Sequence, residues 1–270
     1  MRDYTKALPD HTETYIGEND LFLEIFEGET VSENRPPLLF VHGAYTGSWM
    51  WSKYIPHFIS DGWKCFVMNL RCHYKSRVLD ITKITFEDYL EDIKEVIAMC
   101  GVPPILIGFS MGGILGQKLA ETVDLAGLVL IDSSISREVH DLVPYKELAQ
   151  MSPGMIVPPP VRVEHSTIDE SADDIAFQRK YLAMESSKAF SAFSYLYGSK
   201  GISIESNSIS CPCLVIKAVN CEDDDRRGRL TAEHLHAQYM GISHTTHTGL
   251  LVGQRYREPV DGIMEWLKGF

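Results

Sequence analysis

Acyl transfer requires a nucleophile, a base to deprotonate it, an acid to orient the base, and donors for the oxyanion that forms. This chain offers a candidate for each. The stretch Gly108-Phe109-Ser110-Met111-Gly112 lies between an apolar run, Pro104-Ile105-Leu106-Ile107, and a helical pattern, Gly113 to Glu121. It therefore reads as strand, sharp turn, helix. A serine at such a turn is lifted clear of its neighbours, and glycine tolerates the crowding on either side. Ser110 is the candidate nucleophile.

Ten histidines compete for the base. His247 stands in Thr245-Thr246-His247-Thr248-Gly249-Leu250-Leu251, a loop between the last strand and the last helix. A histidine in a late loop can reach back over a sheet. His244, three residues earlier at the strand end, is the alternative. The acid is expected after the strand Leu214 to Val219, in the loop Asn220-Cys221-Glu222-Asp223-Asp224-Asp225-Arg226-Arg227. Asp223 is the choice there, with Asp224, Asp225 and Glu222 as neighbours of the same type. Asp132, at the end of an earlier strand, is the alternative position. The oxyanion donors are expected to be backbone N–H groups. One is that of Met111, at a helix N-terminus where the dipole favours negative charge. The other is that of Ala44, in the turn after His42-Gly43, which His42 braces.

The elements that must position these residues alternate. Thr12–Gly17 and Leu21–Glu27 read as an edge hairpin, and Leu38–Val41 as a strand buried on both faces. Thr46 to Ile59 carries apolar residues at helical spacing, Cys65–Leu70 is a strand, and Arg71–Ser76 is a polar loop. Thr85 caps a helix over Phe86–Cys100, with Glu87 and Asp88 in its first turn. Gly127–Asp132 is a further buried strand. Strand–helix alternation predicts a parallel sheet with helices on both faces. Residues 134–209 break it with Met151-Ser152-Pro153-Gly154, the run Pro158-Pro159-Pro160, and helical stretches near 169–184 and 186–198. This segment reads as a helical insertion over one end of the sheet. The sheet resumes at Cys213–Val219. Thr231–Ala237 reads as a short helix, Tyr239–Ser243 as a last strand, and Val260–Phe270 as a closing amphipathic helix. Residues 1–12 read as a loose lead-in.

With 270 residues, 44% hydrophobic and 23% charged, the chain can build a full-sized core. Its net charge of −12 argues against nucleic acid or an anionic membrane as a partner, since both need a basic face. No run is long enough to span a bilayer, and Met1–Lys6 leads into polar sequence without an export signal. A cytoplasmic location is expected, with the six cysteines as free thiols. Cys211-Pro212-Cys213 is too tight for a zinc knuckle.

His42-Gly43 after an early strand, Gly-Phe-Ser-Met-Gly at the elbow and the late His247 together resemble the α/β-hydrolase superfamily, whose chain order is Ser, acid, His. Trp49 and Trp51, Leu-Ile-Asp at 130–132, and Cys-Pro-Cys-Leu-Val-Ile before the acid loop are further matches. The likeness runs from about Thr12 to Phe270. It implies a mostly parallel eight-stranded sheet formed by residues 1–133 and 210–270, with 134–209 as a helical cap. It departs from the family at Arg71-Cys72-His73-Tyr74-Lys75-Ser76, where two usual glycines are replaced. Tyr45 and Phe109 are expected to line the pocket by position, and Met184, Phe190, Phe193, Tyr195 and Tyr197 are apolar candidates from the cap. The expectation is a serine esterase for an uncharged, fairly apolar small molecule, needing no metal or organic cofactor. Lactone, thioester or carbon–carbon bond hydrolysis, a lyase, and a non-catalytic ligand receptor are the alternatives on the same fold.

Overall fold

A computed structural model describes residues 2–28, 35–145, 156–162, 168–195 and 198–270. Apolar strands and capped helices alternate as their patterns require. The expected hairpin is β1 (Thr12–Ile16) and β2 (Leu21–Phe26). Then come β3 (Leu38–Val41), α1 (Ile55–Ser60), β4 (Cys65–Met68) and α2 (Phe86–Cys100). Thr85 and Asp88 close a reciprocal capping box on α2, an arrangement worth about 1 kcal/mol. The elbow joins β5 (Ile105–Phe109) to α3 (Met111–Ala120), and β6 (Gly127–Ile131) follows.

Residues 134–209 contribute α4 (Arg137–Leu142), β7 (Ile156–Val157), α5 (Ala172–Tyr181), β8 (Glu185–Ser186) and α6 (Ser187–Ser194). β7 and β8 pair with each other, and none of these elements joins the main sheet. β9 (Cys213–Val219), α7 (Glu222–His234), β10 (Gln238–Ser243), α8 (Gly249–Val252) and α9 (Arg257–Trp266) complete the chain.

The main sheet has eight strands in the order β1-β2-β4-β3-β5-β6-β9-β10. β2 runs antiparallel to β1 and β4, and every pairing from β4 to β10 is parallel. Alternate strand residues feed two cores. Ile105, Ile107 and Phe109 pack with α1 and α9, whereas Leu106, Leu128 and Leu130 pack with α2 and α3. Both faces are therefore covered, which is why the central strands carry unbroken apolar runs.

Three expectations are corrected. Thr46–Ile59 is not one helix: a 3-10 turn spans Ser48–Trp51 and α1 starts afresh at Ile55. Pro56 lacks an N–H and is tolerated in the first turn of a helix, so the restart falls there. The acidic run after β9 is not a loop but the first turn of α7, where Glu222, Asp223, Asp224 and Asp225 all face the positive end of the helix dipole. The N-terminal lead-in is tied down. Tyr4 donates its hydroxyl to Asp174 of α5 at 2.6 Å, and Asp3 accepts from Tyr181 at 2.9 Å.

Candidate active site

The register of the sheet brings the chemistry together. Phe109 pairs with Ile131, and Ile131 with Ile216. The residues that follow, Ser110, Asp132 and Lys217, fall on one row across three neighbouring strands. Both strands ending in this row turn sharply. Ser110 has φ 53° and ψ −114°, and Asp132 has φ 43°. Their N–H groups donate across the row, Ser110 to Ile131 O at 3.1 Å and Asp132 to Ile216 O at 2.7 Å.

The glycines around Ser110 are demanded by close approach. A Cβ on Gly108 would stand 2.4 Å from the Gly112 carbonyl oxygen, and one on Gly112 would stand 2.3 Å from that of Val41. Helix α3 thus packs against the ends of β3 and β5, and the serine is held in a strained conformation that the surrounding packing enforces.

His247 lies in the turn between β10 and α8. Its Nδ1 is 2.5 Å from Oδ2 of Asp132. A carboxylate only accepts, so Nδ1 donates and Nε2 carries the lone pair of the neutral ring. Phe109 stacks on the imidazole, with ring centroids 4.6 Å apart at 30°. The carboxylate on His247 therefore belongs to Asp132 and not to Asp223. Asp223 occupies the first turn of α7, and neither it nor Asp224, Asp225 or Glu222 lines the cavity. The other oxygen of Asp132 is 2.6 Å from Lys217 Nζ and accepts from Ala218 N at 3.4 Å. Burial acts to raise the Asp132 pKa, but Lys217 and His247 outweigh it and hold the carboxyl well below the usual range. His244 does not line the cavity.

The turn after β3 is braced from inside. His42 is buried; Leu70 N donates to its Nε2 at 3.1 Å, so its Nδ1 donates to Gly43 O at 2.8 Å. Burial, and then the neighbouring His73, lower the His42 pKa to about 3, which keeps the ring neutral in this role. Thr46 Oγ1 donates to the same carbonyl at 2.8 Å. In a trans peptide the following N–H points opposite. Fixing Gly43 C=O therefore aims the N–H of Ala44, and among the described residues neither that N–H nor the one on Met111 has an acceptor.

A cavity of about 400 Å³ opens on these groups. Ala44, Tyr45, Phe109, Ser110, Asp132 and His247 line it from the core, and Phe190, Phe193 and Leu182 line it from the insertion. Tyr45 and Phe109 stand where expected. Met184 is exposed, and Tyr195 stacks on His140 and donates to Ile135 O, so neither lines the cavity. Tyr197 and the Met151–Gly154 stretch lie outside the described residues.

Sequence reading passed over two cations at the cavity. Arg162 Nη2 donates to Glu170 at 2.5 Å and to Thr248 at 2.8 Å. Lys217 interrupts the apolar run of β9, and a charge inside a strand buried on both faces signals a buried partner. Among the described residues, His11, Glu13 and Glu24 are the group whose ligand atoms converge within 4.8 Å. None of them lines the cavity, and Lys75 already pairs with Glu13 at 2.7 Å.

The altered loop after β4 keeps an unusual backbone. Cys72 and Tyr74, which replace the usual glycines, adopt φ 66° and 49°. Left-handed backbone costs such residues roughly 1–2 kcal/mol each. Arg71 anchors the loop through Asp92 and Asp88 at 2.6 to 2.9 Å. His73 Nε2 meets Glu185 Oε2 of β8 at 3.1 Å, both groups fully buried. Glu185 also accepts from Tyr89 at 2.6 Å and from Tyr45 N at 3.3 Å. The loop thus ties the insertion to the turn that carries Ala44.

Residues 36–151 match the family model described as alpha/beta hydrolase fold. No curated protein sequence matches the chain. Among solved structures, a thermophilic esterase from Thermogutta terrifontis is 19% identical, with 97% of this chain and 99% of that one covered, at a TM-score of 0.65. A monoacylglycerol lipase from Paleococcus ferrophilus is 18% identical, with 91% and 98% covered and a TM-score of 0.66. An enol-lactonase from Burkholderia xenovorans LB400 is 16% identical, with 94% and 99% covered and a TM-score of 0.67. At these identities the likeness is one of fold.

Proposed function

We propose that this chain, which has the α/β-hydrolase fold, is a serine hydrolase that cleaves a carboxylic ester of an uncharged, fairly apolar small molecule. The observation that carries the reading is the contact of His247 Nδ1 with Asp132, at the mouth of a cavity that Ser110 also lines. Asp132 stabilises the tautomer in which Nε2 of His247 is the base. His247 takes the proton of Ser110 as Oγ attacks the ester carbonyl. The N–H groups of Ala44 and Met111 receive the oxyanion, the second at the N-terminus of α3. His247 then protonates the leaving alcohol. It later activates water, which attacks the acyl-enzyme and restores Ser110. The proton of Ser110 departs on the alcohol and one from water replaces it, so ester and water are the only reactants consumed.

The substrate class rests on the lining. Phe109, Phe190, Phe193 and Leu182 supply apolar wall. An apolar acyl or alcohol portion gains about 25 cal/mol for each Å² it removes from water there. We place 134–209 as the cap whose inner face selects that portion. Among the described residues no helix is long and apolar enough to cross a membrane, and all six cysteines are free thiols.

The test is a panel of p-nitrophenyl esters of increasing acyl length, assayed with the wild type and with Ser110→Ala. Turnover of apolar esters that the variant lacks supports the reading. Equal turnover by the variant would sink it.

A further inference from the structure

Lys217 takes no part in proton transfer as described, yet its position is specific. It lies in β9 among buried apolar residues, and its side chain is 11% exposed. Burial acts to lower its pKa, and Asp132 reverses that, so the group is an ammonium. One carboxylate is thus shared: Oδ1 meets Lys217 Nζ at 2.6 Å and Oδ2 meets His247 Nδ1 at 2.5 Å. Without Lys217, Oδ1 would keep a single distant donor, Ala218 N at 3.4 Å. A buried carboxylate oxygen in that state rotates towards a better donor or takes a proton.

We propose that Lys217 is a positioning residue for the catalytic acid: by holding Oδ1 it presents Oδ2 to His247 and limits how tightly the Asp132–His247 pair retains a proton. This rests on the triad reading above. The row of Ser110, Asp132 and Lys217 gives the arrangement its rigidity, because Lys217 projects from a central strand and not from a loop. Other charged or titratable groups are engaged. Tyr145 and Asp224 face Lys217, Arg227 stacks on Tyr145 at 4.7 Å and bonds Asp224, and Tyr239 bonds Asp225. Across the cavity, Arg162 is paired with Glu170. Among the described lysines and arginines, Lys217 is therefore the one that touches the acid.

The experiment is the pH dependence of kcat/KM on a neutral ester for the wild type and for Lys217→Met, Lys217→Gln and Lys217→Arg. The acid limb should move up by about one pH unit or more in Met and Gln, and stay in place in Arg. In the wild type the Lys217 side-chain nitrogen resonance should also shift with the midpoint of that limb. This readout holds if the neutral variants fail to fold. A uniform loss at all pH values would overturn the proposal, as would a raised KM with the limb unmoved, or a Lys217 resonance indifferent to the limb. Failure of Ser110→Ala to abolish turnover would instead remove the triad reading itself.

Discussion

The carboxylate of Asp132 meets Nδ1 of His247 at 2.5 Å, although the two residues are 115 apart in the chain. In the proposed mechanism this contact makes Asp132, at the end of the strand beside the one that leads to Ser110, the acid. Asp132→Asn would replace an acceptor with a group that can donate, favouring the wrong tautomer of His247. A loss of about 10⁴-fold in kcat is expected, from the size of such changes in other triads. Asp223→Asn should keep near wild-type activity. Steady-state kinetics on both variants checks this, and the opposite ranking would return the acid to α7.

The oxyanion turn makes its own prediction. Thr46→Val removes one of the three donors on Gly43 O and leaves His42 Nδ1 and the Thr46 N–H, the latter at 3.3 Å. The Ala44 N–H is then aimed less well but not lost. kcat should fall about tenfold with KM little changed, less than the 10²–10³ of deleting a donor outright. A raised KM at constant kcat would point to a ground-state role for Thr46.

The cavity wall predicts chain-length preference. Phe190→Ala enlarges the insertion side of the cavity. The ratio of kcat/KM for long over short acyl esters should rise by about tenfold, the scale of a methylene or two in an apolar pocket. An unchanged ratio would mean that the acyl chain lies elsewhere.

The pair of His73 and Glu185 predicts pH-dependent anchoring. Burial acts to lower the His73 pKa, but Glu185 raises it overall; burial acts to raise Glu185, but His73 lowers it overall. The His73 contribution is complete below its ordinary value of about 6.5 and fades as pH rises through the folded value. The Glu185 contribution is complete above about 4.3 and fades as pH falls. Stability from the pair is therefore fullest between those values. Glu185→Gln should destabilise by about 3 kcal/mol or more, because it strands a buried imidazolium, and should flatten the alkaline loss. Denaturant unfolding from pH 5 to 9 measures both effects. Equal stability and equal slopes would refute the anchoring role.

What could be read from the sequence followed local pattern. Ser110 was legible because strand, glycine-flanked turn and helix are contiguous. His247 was legible because a late loop after the last strand leaves few geometries. From the sequence, Asp132 stands behind Asp223: the order Ser, acid, His fits both, and the acid is expected after the strand Leu214 to Val219. The neighbour of β5 in the sheet is β6, and that adjacency is a property of strand order, which periodicity does not carry. The acidic run Glu222–Asp225 reads as a loop because three consecutive aspartates have low helix propensity, yet the dipole at a helix start favours acidic side chains. Lys217 carried a signal that was passed over, a charge in an unbroken apolar strand. The contact of His73 with Glu185 joins residues 112 apart and had no local signature.

The central claim is that Ser110 is a nucleophile activated by His247 and Asp132. Intact-protein mass after treatment with a fluorophosphonate tests it most directly. One label per chain is expected, on Ser110, absent in Ser110→Ala and strongly slowed in His247→Ala and Asp132→Asn. No labelling of the folded wild type, or labelling that persists in Ser110→Ala, would contradict it.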